Sequence, residues 1–93
     1  MQVKRKNFPP IIPDNEEIYF SMIVAAIEAV DELCSVQITK GLSGWQFRIS
    51  PSLPRYTPSL IAEILKFHNF LGMHLDMIKS IKTSSTIAFT VVV

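Results

Sequence analysis

The sequence contains a weak twofold repeat: a helical pattern followed by a hairpin pattern, with the same order returning about 42 residues later. At this offset, four of the five hairpin pairs match one apolar residue with another. These pairs are Val36 with Ile78, Ile38 with Ser80, Trp45 with Ile87, Phe47 with Phe89, and Ile49 with Val91. Such a repeat indicates an architecture, but hydrophobic patterning of this kind recurs in unrelated proteins. It does not indicate a function.

The order of elements predicts an α+β fold, αββαββ, with two helices packed on one face of a four-stranded, mainly antiparallel sheet. Residues 1–13 read as an extended, basic and proline-containing arm, and residues 14–93 as a single domain. If residues 2–8 add a strand, the result is a ferredoxin-like variant.

The first helix is predicted over residues 15–33, with Asp14 as a side-chain cap and Glu17 completing a capping box. Its acidic residues gather on one side, and the apolar sector spans roughly 200°, about twice what packing against one sheet requires. Phe20 and Ile27 widen that sector. We therefore expect this helix to contact the sheet and something else, either the second helix or another subunit.

Two hairpins are predicted by alternating apolar and polar residues. The first pairs residues 35–39 with 45–50 across a glycine-containing turn, and the second pairs residues 75–81 with 86–93. Thr57-Pro58 starts a second helix that ends near Leu71, and the register of the third strand stays open. The residues predicted to face the helices are Val36, Ile38, Trp45, Phe47, Ile49, Ile87, Phe89, Val91 and Val93.

Composition narrows the class of protein. Of the 93 residues, 48% are hydrophobic and 18% are charged, and the formal net charge is +1. That is more apolar material than a monomer of this size easily buries, which favours self-association or a protein partner. The single cysteine, Cys34, excludes an internal disulfide. We find no signal peptide and no membrane-spanning run, and expect a cytoplasmic protein without membrane contact.

No enzymatic motif is present, so the sequence predicts a non-enzymatic protein with no cofactor and no metal site. His68, His74 and Asp76 cluster near the end of the second helix, but their spacing fits no metal-ligand pattern. His68 lies on the apolar side of its helix, where a hydrogen-bonded core histidine is favoured over a catalytic one. Cys34 is interpreted as a packing residue.

The leading hypothesis is a protein-interaction or assembly module that forms a homodimer through apolar helix or strand surface. Its predicted interface residues are Phe20, Ile27, Phe70 and Val92. The alternative is a small nucleic-acid-binding protein in which the basic run Lys4, Arg5 and Lys6 contacts phosphates. An enzyme or small-molecule binder that uses His68 ranks third, because it requires a pocket.

Overall fold

The structure, a computed structural model, describes residues 1–42, 44–70, 74–76 and 86–92, and the side chains of these residues except 67–70, 74–76 and 92. Its elements, in chain order, are β1 (Gln2–Lys6), α1 (Asp14–Val30), β2 (Ser35–Lys40), β3 (Gly44–Ser50), a single 3-10 turn (Pro54–Tyr56), α2 (Thr57–Phe70), β4 (His74–Asp76) and β5 (Ile87–Val92).

These elements confirm the α+β class, with two helices and one mixed sheet whose strand order is β1-β2-β3-β5-β4. Strand β1 runs parallel to β2, and the other described pairs are antiparallel. The conditional first strand therefore forms, and residues 2–6 belong to the sheet and not to a free arm. Because β1 pairs directly with β2, no strand is inserted between the two parallel strands, as a split βαβ unit would require.

The predicted alternation of the strands is confirmed in the described part of the sheet. Facing pairs such as Phe47 with Phe89 and Ile49 with Ile87 are buried, while Gln46 and Arg48 between them are exposed. The sheet thus has an apolar face covered by the helices and a polar open face. The core is formed by Phe20, Ile23, Ile27, Cys34, Val36, Ile38, Trp45, Phe47, Ile49, Leu60, Ile64, Ile87, Phe89 and Val91.

An aromatic cluster fixes how α1 is rotated on the sheet. The rings of Phe20 and Trp45 lie edge to face, 4.8 Å between centroids, and Phe8 lies 4.7 Å from Trp45. Asn7 adopts a left-handed backbone, φ 57°, which ends β1 just before Phe8 enters this cluster. The cluster therefore joins the N-terminal segment, α1 and the centre of the sheet through contacts that aromatic rings favour.

The start of α1 differs from the predicted capping box. Pro13 is the N-cap residue and no side chain caps the helix; the Pro13 carbonyl oxygen accepts hydrogen bonds from the Glu16 and Glu17 amides. The Glu17 carboxylate is instead bound by Arg5 of β1. A capping box requires the Glu17 side chain to fold back onto its own helix, and a charged partner across the fold competes for it.

The second half is described in part. Helix α2 matches its predicted span, and in β4 Leu75 is paired with Val91, which gives a register for the strand whose pairing the sequence left open. The predicted strand residues 77–81 and Val93 lie outside the described residues. The internal repeat therefore stays a prediction.

Candidate interaction surfaces

The structure places two predicted interface residues in the core and not at the surface. Phe20 is 2% exposed and Ile27 is 1% exposed, so neither side chain offers appreciable surface for a dimer interface in the folded chain. The interface prediction for these two residues is wrong, because the aromatic cluster turns their side of α1 toward the sheet. Phe70 ends α2 and Val92 lies in β5, but their side chains lie outside the described part of the chain.

The side of α1 that faces away from the core carries an apolar row, the α1 outer stripe, formed by Ile18, Met22, Ala25 and Ala29. Ile18 is 57% exposed, Met22 is 37% exposed, and the two alanines are exposed as well. Their spacing of four, three and four residues is that of a coiled-coil seam. At about 100° per residue, the stripe lies opposite Phe20, Ile23 and Ile27 on the helix.

The stripe is asymmetric along the helix, because its large side chains lie in the N-terminal half and its small ones in the C-terminal half. Beside the small end is an open concavity of about 560 Å³, lined by Ala25, Ala29, Val30 and Tyr56 together with the acidic residues Glu28 and Glu32. Large side chains of a neighbouring helix would fit beside the alanines, as knobs fit into holes. This signal was present in the sequence, but α1 is apolar around most of its circumference, so the wheel alone could not identify which side is outside.

A buried carboxylate fixes the C-terminal end of α1. Asp31 is 2% exposed and accepts hydrogen bonds from the Ser52 amide (2.7 Å), the Ser52 hydroxyl and the Leu33 amide (3.3 Å). Burial by itself would raise the pKa of Asp31, but the bonds from Ser52 and Leu33 outweigh it and the pKa is lowered. Asp31 thus stays ionised and ties the end of α1 to the chain that follows β3.

Cys34 is buried, and its thiol donates a hydrogen bond to the Met1 sulfur at 3.4 Å. Burial, with the nearby negative charge of Asp31, raises the pKa of the Cys34 thiol. A raised pKa disfavours the thiolate that nucleophilic chemistry needs. These contacts agree with a packing role.

The structure divides the basic run between the two faces of the sheet. Lys4 and Lys6 are paired with Gln37 and Thr39 on the open face, whereas Arg5 is paired with buried Ile38 on the helix side. Arg5 binds the Glu17 carboxylate through both terminal nitrogens, one at 2.8 Å, and its guanidinium lies 5.1 Å from the Phe8 ring centroid. The ion pair raises the pKa of Arg5 and lowers that of Glu17, chiefly through the shared hydrogen bonds.

The open face also carries Arg48, a cation of the first hairpin that belongs with the basic run in the nucleic-acid hypothesis. Arg48 is in the same cross-strand row as Lys4, with Gln37 between them. Together they border a shallow groove of about 230 Å³ whose remaining lining is mostly amide and hydroxyl side chains. Strands β1, β2, β3 and β5, as the structure describes them, contain no acidic residue.

Among the described residues there is no group of histidine, cysteine, aspartate and glutamate that could hold a metal ion. Within the same residues, no helix has the length and apolar character needed to cross a membrane. The side chains of His68, His74 and Asp76 lie outside the described part of the chain. The hypothesis of a pocket at His68 therefore stays a prediction.

Comparison with known proteins gives no match to a protein-family model, to a curated protein or to a solved structure.

Proposed function

We propose that the protein is a non-enzymatic interaction module that self-associates through the α1 outer stripe. The observation that carries the proposal is the exposed coiled-coil spacing of Ile18, Met22, Ala25 and Ala29 on a helix whose opposite side is already buried. An apolar seam at this spacing is stabilised when a second helix covers it.

A second copy of the same helix fits the stripe when it runs antiparallel. In that orientation Ile18 of one copy lies opposite Ala29 of the other, and Met22 lies opposite Ala25, so each large side chain is beside a small one. The contact is isologous and closes on itself as a twofold dimer. The open concavity beside Ala25 and Ala29 gives the incoming large side chains room.

Charge and size predict a weak dimer. The helix carries four acidic residues and no lysine or arginine, so two copies repel each other and salt should strengthen their association. Its 17 residues extend over about 25 Å. A helix of this length buries less surface than the roughly 800 Å² per partner of a standard stable interface. We expect a dissociation constant on the order of micromolar or weaker.

Sedimentation equilibrium over a wide concentration range tests this proposal. Ala25→Glu inserts a charge into the seam and should raise the dimer dissociation constant by at least about tenfold. Ala62→Glu, at an exposed position of α2, is the matched control and should leave dimerisation unchanged. A wild-type protein that stays monomeric at millimolar concentration would refute self-association through this stripe.

Nucleic-acid binding is the second candidate, and the alignment of Lys4, Lys6 and Arg48 on one open face favours it. The described positions of this face carry no aromatic side chain for base stacking, so contacts would be to phosphates and independent of sequence. Binding to single-stranded DNA should then weaken steeply with salt and be lost in Arg48→Glu. Binding that is insensitive to salt would contradict the hypothesis of phosphate-directed nucleic-acid binding.

A further inference from the structure

Strand β1 is an outer edge of the sheet. Within the described residues it pairs with β2 alone, and all five of its residues are exposed. An edge strand leaves alternate backbone N–H and C=O groups without a partner, and such a row can accept another extended chain.

The two sides of this edge differ in chemistry. On the helix side, an open notch of about 300 Å³ lies between β1 and α1, lined by Val3, Arg5, Phe20, Ser21, Val24 and Ile38. The charged residue of this lining, Arg5, is already paired with Glu17. On the open side, Lys4 and Lys6 are exposed and lie about 7 Å apart along the strand. The helix side thus offers room for small apolar groups beside Val3 and Val24, and the open side suits anions.

We infer that β1 binds an extended acidic peptide by strand addition. The peptide backbone would hydrogen-bond to the free edge of β1, and alternate small apolar side chains would enter the notch beside Val3 and Val24. The intervening carboxylates would lie opposite Lys4 and Lys6, because successive side chains of a strand point to opposite faces. The site is separate from the α1 outer stripe.

Charge selects this occupant over a second copy of β1. Two β1 strands paired edge to edge with their open faces on the same side would bring lysines of one copy against lysines of the other, and like charges on paired strands are destabilising. Charged residues also protect sheet edges from aggregation, but protection alone does not require an open notch with Val3 and Val24 beside the edge. The notch and the lysines together specify alternating apolar and acidic side chains.

The experiment uses the full chain and a capped peptide of alternating valine and glutamate, about eight residues long. Binding is followed by NMR shifts and amide exchange of β1 and by calorimetry. The Lys4→Glu/Lys6→Glu variant should lose at least about tenfold in affinity for this peptide and should instead bind a valine-lysine peptide. Arg55→Glu/Lys66→Glu, which reverses two exposed charges elsewhere, should bind the valine-glutamate peptide as the wild type does.

Backbone pairing has its own control. The same peptide N-methylated at alternate residues keeps its charges but cannot pair with the strand, and it should not bind. Equal binding of the methylated peptide, equal binding of the valine-lysine peptide to the wild type, or no binding at millimolar concentration would each overturn the inference. Single-stranded DNA that binds where the acidic peptide does not would also overturn it. Ala25→Glu should bind the peptide normally, so failure at β1 and failure of the dimer are distinguishable.

Discussion

Replacing Asp31 by asparagine should destabilise the fold more than any other single removal of charge in the described part of the chain. Its two carboxylate oxygens accept three hydrogen bonds, two from Ser52 and one from Leu33. An asparagine amide would turn a donating NH₂ group toward these donors. Hydrogen bonds to a charged group contribute about 1.5–3 kcal/mol each, but Ser52 and Leu33 are exposed and water can replace part of the loss. We expect a loss of about 2–3 kcal/mol, or about 10–20 °C in Tm.

Urea unfolding of the wild type and of Asp31→Asn, measured at neutral pH and near pH 3, tests this expectation. Because the folded pKa of Asp31 is lowered, its contribution is fully present above its unfolded pKa of about 3.9 and is lost as pH falls through the folded pKa. The difference between the two proteins should therefore shrink in acid. Glu32→Gln, at the exposed neighbour, is the control and should change stability by less than about 0.5 kcal/mol. An Asp31→Asn variant as stable as this control would refute the assigned role.

Two further predictions concern the core. Phe20→Ala should cost about 3–5 kcal/mol of unfolding free energy, because it removes a ring packed against Phe8, Trp45 and Phe47. Ile18→Ala, at an exposed position, should cost much less. Denaturant titration of both variants measures the two costs, and the reverse order would contradict the assignment. The Cys34 thiol should react with a disulfide reagent only slowly in the folded protein and quickly in denaturant; fast reaction in the native state would contradict its buried, high-pKa environment.

Strand alternation predicted the inner face of the sheet well because a strand has a period of two and one face is covered, so Val36, Trp45 and Phe89 could not exchange faces without exposing the whole set. Helix α1 was harder, because Ile18 and Phe20 are both apolar and a helical wheel cannot rank them. The contacts of Phe20 with Phe8 and Trp45 decide the rotation, and these residues are distant in sequence.

The N-terminal strand and the Asp31 site also depend on distant partners. The segment Gln2–Lys6 is short and basic, and it forms a strand because β2 supplies its hydrogen bonds and Glu17 binds Arg5. In the sequence, Asp31 looks like any polar residue at a helix end. Its role depends on Ser52, which lies 21 residues later and donates two hydrogen bonds to it. Local sequence patterns therefore predicted the helices and strands. The rotation of α1 and the surface that it leaves exposed could be read only from the long-range contacts of the folded chain.

Disulfide trapping of two single-cysteine additions tests the antiparallel dimer most directly. In that dimer residue 18 of one copy lies opposite residue 29 of the other, whereas two copies of residue 18 are separated by about 16 Å, beyond the roughly 7 Å that a disulfide can bridge between Cα atoms. We predict that a mixture of Ile18→Cys and Ala29→Cys proteins forms a mixed disulfide dimer under mild oxidation, while neither protein forms one alone. Efficient crosslinking of Ile18→Cys with itself, or no crosslinking in the mixture, would contradict the account.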